Sequence, residues 1–137
     1  MKGLRSKARE LALQCLYQID QSSNPDADIE LIGQNFQATK KAVVYGSALV
    51  NGVKEHLDEI DNLITIHAEN WKVSRMAVID RNILRIALYE MLYVSDVPDA
   101  VAVNEAVDIA KRFSSDEAPA FINGILDAFC KTREAER

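Results

Sequence analysis

The chain is short of the residues that tight turns and cross-links require. Its 137 residues include only 5 glycines, 3 prolines and 2 cysteines. So few turn formers argue against an all-β fold, whereas the frequent Ala, Leu, Ile, Glu and Lys favour helix. Cys15 and Cys130 lie on apolar helical patterns near opposite ends, with no second Cys or His at metal spacing. Both are therefore expected to be small buried hydrophobic residues in a reducing compartment.

Segments that would direct the chain to or through a membrane are also missing. The N-terminus becomes charged at once and lacks the long apolar stretch of a signal peptide. No apolar run approaches the ~18 residues of a membrane span. With 48% hydrophobic and 27% charged residues, the composition suits a globular protein with a real core, and a cytoplasmic protein is the simplest expectation.

Motifs of catalysis and of metal or cofactor binding are absent as well. There is no HExxH, CxxC, P-loop or GxGxxG. His56 and His67 are eleven residues apart, about 16 Å along a helix, which is too far for one metal ion. The acidic run beside His56 is typical of a solvated helix face, and His67 is expected to pack at the core. We therefore expect no metal, no cofactor and no enzymatic activity.

Hydrophobic periodicity predicts an all-α fold of about seven helices that could pack as two small bundles. The predicted helices cover about 4–20, 28–38, 40–70 in two parts, 75–94, 100–113 and from about 116 onward. Asp28 and Ser74 are the expected N-caps of the second helix and of the helix after residue 74. The stretch at 70–74 divides a single domain, 1–137, into an N-terminal half, 1–70, and a C-terminal half, 71–137.

Particular residues carry expectations about packing. Gly46, Gly52 and Gly124 lie inside helical patterns and predict close helix–helix contacts, since glycine otherwise weakens a helix by ~1 kcal/mol. Phe113 is expected to face inward. The helix over 75–94 is apolar nearly all round, which predicts that other helices surround it.

The net charge of −5 makes the chain a poor general binder of polyanions, but its N-terminus is locally basic. On a helical wheel Lys2, Arg5 and Arg9 fall within about 60° of one another, beside Leu13 and Tyr17. An arginine fork can contact phosphate, and a tyrosine ring can stack on an unpaired base. The alternative, a solvated helix with ordinary surface charge, remains open on these residues alone.

Five segments together resemble the NusB family along essentially the whole chain. They are ARELALQCLYQ at 8–18, LVNGV at 49–53, DRNILRIALYEML at 80–92, DVPDAVAVNEAVDIAKRF at 96–113 and FINGILD at 121–127. None is a catalytic signature; their order and spacing carry the resemblance. It implies two perpendicular three-helix bundles, with a seventh helix in the N-terminal half.

The resemblance also implies a function. Members of the NusB family bind single-stranded boxA RNA and pair with the small-subunit ribosomal protein that acts as NusE. Together with other Nus factors, this complex loads onto RNA polymerase and suppresses premature termination, notably on ribosomal RNA operons. Two alternatives stay open: a helical protein-interaction module, or a dimer whose RNA surface is masked. An unrecognised helical enzyme is a third hypothesis.

Site residues follow from the resemblance position by position. RNA contact is implied for Lys2, Arg5, Arg9, Tyr17 and Phe121. Partner contact is implied for Asp80, Arg81 and Leu84. From the pattern alone, Phe121 could equally pack in the first turn of its helix, and Asp80 could form an ordinary surface pair. The N-terminal basic residues are sparser than in many relatives, and Ala120 stands where relatives can carry a basic residue, so RNA affinity is expected to depend more on the partner protein.

Overall fold

The structure, a computed structural model, describes residues 3–21 and 26–136, and in these residues the chain is all-α. Its seven helices are α1 (Leu4–Gln21), α2 (Ile29–Asn35), α3 (Lys40–Glu55), α4 (Leu57–His67), α5 (Val78–Tyr93), α6 (Asp99–Phe113) and α7 (Ala118–Ala135). One 3-10 turn, Val73–Arg75, precedes α5. No strand occurs in the described residues. The predicted fold class is confirmed, and Lys2 lies outside the described residues.

The helical region predicted over 40–70 in two parts is confirmed as two helices, and they are divided at one residue. His56 ends α3 and precedes α4 with φ −111° and ψ 23°. Its N–H still donates to the carbonyl of Gly52 at 3.0 Å, and its own carbonyl accepts from Ile60 at 3.0 Å. The chain therefore bends at His56 while its backbone groups stay paired.

Helix starts were predicted with mixed success. Asp28 caps α2 as predicted, since its side chain accepts from the N–H of Glu30 at 2.9 Å. Ser74 was the wrong cap for α5, because it lies inside the 3-10 turn and the extended Ala77 occupies the N-cap position. Helix α7 begins at Ala118, slightly later than predicted, which leaves Pro119 in the first turn where its missing N–H costs little.

Helix α5 is the common packing partner of the molecule. It packs against α1, α3, α4, α6 and α7, and these contacts confirm the prediction that other helices surround it. One continuous apolar core results; its largest fully buried apolar side chains include Leu11, Leu49, Ile60, Ile64, Ile83, Leu84, Leu88, Ile122 and Leu126. The division into halves at residue 70 stays a prediction.

The packing predicted for three helical glycines and for Phe113 is confirmed at only two of these four positions. A Cβ on Gly46 would lie 3.1 Å from the carbonyl oxygen of Ala8, and one on Gly52 would lie 2.1 Å from the ring of Tyr89. Both close contacts are confirmed. Gly124 has no neighbour within 4 Å of its would-be Cβ, and Phe113 is 46% exposed, so the predictions for these two residues were wrong. Periodicity places both on a helix but does not specify where the neighbouring helices end.

None of the helices in the described part of the chain is both long and apolar enough to cross a membrane.

Candidate nucleic-acid interface

Arg5 lies at the solvent edge of α1 and is already engaged by a carboxylate. Its two terminal guanidinium nitrogens donate to the two oxygens of Asp96, in the loop between α5 and α6, at 3.1 and 3.0 Å. The guanidinium carbon also lies 4.6 Å from the ring centre of Tyr45. The hydrogen bonds raise the pKa of Arg5 and lower the pKa of Asp96. Since both side chains remain largely exposed, an RNA phosphate could reach Arg5 only in competition with Asp96.

Arg9 does not lie on an exposed basic strip, contrary to the prediction. It is 3% exposed, and its Nε and Nη2 donate to Glu90 at 2.7 and 2.9 Å. Nη1 lies 3.3 Å from Glu105, and the hydroxyl of Tyr45 donates to Glu90 at 2.6 Å. Burial opposes the charge of Arg9, but the hydrogen bonds from its guanidinium to Glu90 leave its pKa raised. The helical wheel gave the correct angle for Arg9, but α5 and α6 cover that face.

Tyr17 lines an open apolar groove of about 260 Å³ beside α1. Two further rings border it, Phe36 at 50% and Phe113 at 46% exposure. A cation lies near each ring: the Lys7 ammonium 5.7 Å from Phe36 and the Arg112 guanidinium carbon 5.1 Å from Phe113. Sequence reasoning missed both rings, because apolar residues at helical spacing were assigned to the core.

Phe121 is half-buried in the first turn of α7 and borders a second cleft, of about 190 Å³. Its ring meets the indole of Trp71 edge to face, with centroids 5.7 Å apart. Ile79 lines the Tyr17 groove and Asp80 lines the Phe121 cleft. Both depressions therefore border the first turn of α5, although the sequence separates Tyr17 and Phe121 widely.

The three residues predicted to contact a partner differ in accessibility. Asp80 accepts from the hydroxyl of Ser114 at 2.5 Å. Arg81 donates to both oxygens of Asp20, at 2.7 and 2.5 Å, and so ties α5 to the end of α1. Leu84 is fully buried, so its predicted direct contact with a partner does not fit this structure. Asp80 and Arg81 remain the surface candidates at this end of α5.

His67 and the two cysteines bear on metal binding and on nucleophilic chemistry. No group of three or more His, Cys, Asp or Glu side chains in the described residues could hold a metal ion. His67 bonds through Nδ1 to the carbonyl of Leu63 at 2.9 Å and meets Phe129 edge to face. Burial raises the pKa of the Cys15 and Cys130 thiols, which disfavours the reactive thiolate. These residues therefore serve packing.

Comparisons with known proteins agree with this architecture. A transcription antitermination protein NusB of Desulfatibacillum aliphaticivorans is 49% identical over 92% of this chain and 89% of its own length. That of Geobacter sulfurreducens is 44% identical over 95% of this chain and 96% of its own. The NusB structure of T. maritima matches over the full length of both chains with a TM-score of 0.82 and 35% identity.

A second solved structure resembles the chain more closely in shape. A chain from the crystal structure of the antitermination factors NusB and NusE in complex with double-stranded RNA has a TM-score of 0.85 at 28% identity, over 96% of this chain and 99% of that one. The model of the NusB family matches residues 6–131. This chain therefore belongs to the NusB family.

Proposed function

We propose that this protein is a transcription antitermination factor that binds single-stranded boxA-type RNA together with the small-subunit ribosomal protein acting as NusE. The observation that carries the proposal is the 49% identity, over 92% of this chain, to a transcription antitermination protein. The related chain in complex with NusE and RNA supports both partners. The protein binds rather than catalyses, supports ribosomal RNA operon transcription in the cytoplasm, and reaches RNA polymerase and other Nus factors through this complex.

The proposed RNA surface runs from the N-terminal end of α1 to the start of α7. Arg5 provides the phosphate contact, and Tyr17 and Phe121 provide rings for unpaired bases. Lys2, which lies outside the described residues, is proposed as a further phosphate contact. Arg9 supports this surface from beneath, because its guanidinium is bound to Glu90 inside the protein.

The proposed partner surface is the partly buried start of α5, at Asp80 and Arg81. Asp80 also lines the Phe121 cleft, so RNA and partner would meet at this turn. Since Arg5 must exchange Asp96 for a phosphate, RNA binding by this chain alone is weak. A partner that holds the same RNA raises the effective concentration and compensates for this weakness.

Charge changes at Arg5 and Asp96 test the RNA surface in opposite directions. Arg5→Glu removes a phosphate contact and adds repulsion, so the Kd for a labelled boxA oligonucleotide should rise about tenfold or more at low salt, with a shallower salt dependence. Asp96→Asn frees the guanidinium of Arg5, and affinity should rise roughly two- to fivefold, since an exposed pair is worth up to ~1 kcal/mol. Fluorescence anisotropy at two salt concentrations measures both.

Lys131→Glu is the matched control, because it makes the same charge change on the exposed face of α7, where Lys131 pairs with Asp127 at 3.1 Å. If Arg5→Glu binds no worse than Lys131→Glu, the N-terminal end of α1 is not the RNA site. Light scattering with and without RNA completes the test. A stable dimer that RNA neither binds nor dissociates would make the protein an interaction module instead.

A further inference from the structure

We propose that Trp71 is a base-stacking residue of the RNA site, holding one unpaired nucleobase beside Phe121 while Lys72 and Arg75 contact the flanking phosphates. The inference rests on the proposed RNA-binding function. It adds a second ring and two cations, and it extends the RNA path from α7 onto the segment between α4 and α5.

Trp71 is exposed to an unusual degree for the largest apolar side chain. Tryptophan is highly buried on average, yet Trp71 keeps 55% of its surface accessible. Its contact with Phe121 is edge to face, with 73° between the ring planes. Phe121 therefore supports the indole without covering it, and a flat apolar surface remains open at the cleft.

The backbone holds Trp71 in place before any ligand arrives. After α4, Asn70 adopts a left-handed conformation with φ 67°, which asparagine tolerates better than most residues. The N–H of Trp71 then donates to the carbonyl of Ala68 at 2.9 Å. The 3-10 turn Val73–Arg75 follows directly. A ring fixed by a turn on each side loses little conformational entropy when it binds a base.

The charges around Trp71 suit single-stranded RNA. Lys72 and Arg75 are exposed, and within residues 3–21 and 26–136 neither has a carboxylate within 4 Å. Arg5, by contrast, is ion-paired with Asp96. Unpaired cations beside exposed rings form the usual combination of a single-strand site, in which rings stack on bases and cations follow the backbone.

The acidic residues of the same cleft favour a base over a phosphate in its interior. Asp80 and Glu117 line the cleft together with Arg75. Carboxylates accept hydrogen bonds from exocyclic amino groups, as with cytosine, but repel phosphate. The base therefore enters between the rings and the carboxylates, and the phosphates stay outside near Lys72 and Arg75.

Trp71 also provides its own assay, because it is the single tryptophan of the chain. Titration with an unlabelled boxA-type RNA oligonucleotide should quench the indole fluorescence in parallel with binding measured by anisotropy. Trp71→Ala should raise the Kd roughly five- to hundredfold, the range for one stacked base. Trp71→Phe should restore most of the affinity, since it keeps a ring. Thermal melts by circular dichroism show whether both variants fold.

Tyr93→Ala is the matched control, since Tyr93 is also an exposed ring, at 44%, but stands at the far end of α5, about 20 Å along the helix from Asp80. It should leave RNA affinity unchanged. The inference is overturned if wild type binds RNA without quenching and Trp71→Ala matches it, while the proposed function still stands. It is equally overturned if the NusE-like protein, without RNA, quenches the fluorescence of Trp71, and Trp71→Ala weakens binding of that protein but not binding of RNA. A wild type that binds no RNA defeats the proposed function itself.

Discussion

Replacing Glu90 with alanine should destabilise the protein severely, because it leaves a buried cation without its main partner. Glu90 is 1% exposed and accepts three hydrogen bonds, two from Arg9 and one from Tyr45. Without it, Glu105, at 3.3 Å, is the one carboxylate of the described residues left beside the guanidinium of Arg9. Breaking such a buried pair costs about 3–5 kcal/mol, a large share of the ~5–15 kcal/mol of a typical domain.

Urea denaturation followed by circular dichroism measures this loss. With a slope of about 1.5–2 kcal/mol per molar urea, the midpoint should fall by roughly 2 M. Lys131→Ala is the control, since it breaks the exposed pair with Asp127 and should cost less than ~1 kcal/mol. The double change Arg9→Met with Glu90→Leu should recover most of the stability, because it removes both charges together.

Two results would refute this reasoning. A loss below about 1 kcal/mol for Glu90→Ala would mean that Arg9 reaches solvent once freed. A double variant no more stable than Glu90→Ala would mean that Glu90 acts through its shape and its bond to Tyr45 rather than through its charge. The first outcome would also return Arg9 to the candidates for RNA contact.

Gly52→Ala should cost about 1–3 kcal/mol, because its Cβ would fall 2.1 Å from the ring of Tyr89. Gly124→Ala should raise the free energy of unfolding by about 0.5–1 kcal/mol, because nothing lies within 4 Å of the added Cβ. Urea midpoints that move in the same direction for the two glycine variants would contradict this packing. Hydrogen bonds from Arg81 lower the pKa of Asp20 from 3.8 to about 2. The stabilisation that ionised Asp20 contributes is therefore complete above about pH 5 and is lost as the pH falls through about 2. The total loss in the free energy of unfolding is up to ~2 kcal/mol. Asp20→Asn should abolish this loss of stability at low pH. If the free energies of unfolding of wild type and variant fall in parallel from pH 5 to 2, the Asp20–Arg81 pair is not the source of the acid dependence.

The helices could be predicted because their signals are local. The helix over 4–20, the cap at Asp28 and the all-round apolar surface of α5 each depend on a few neighbouring residues, and the structure confirms them. The division of 40–70 into two helices was predicted, but its position at His56 was not, because no proline marks it and the hydrogen bonds continue across it.

The candidate site was harder to predict because exposure is a tertiary property. Arg5 and Arg9 share one face of α1, yet only Arg9 lies under α5 and α6, beside Glu90 and Glu105. Phe113 was assigned to the core and is half exposed, while Trp71 was treated only as part of a boundary between halves. A wheel orders residues by angle along one helix; it does not show where a neighbouring helix stops.

The buried carboxylate of Glu90 constrains how the sequence can evolve as well as how the protein folds. It receives Arg9 from α1 and Tyr45 from α3, so three positions far apart in the gene depend on one another. A lineage that lost the carboxylate first would carry an uncompensated buried cation until a second substitution removed Arg9. These positions are therefore expected to change as a set, whereas the residues proposed to contact RNA could change one at a time as the RNA partner changes.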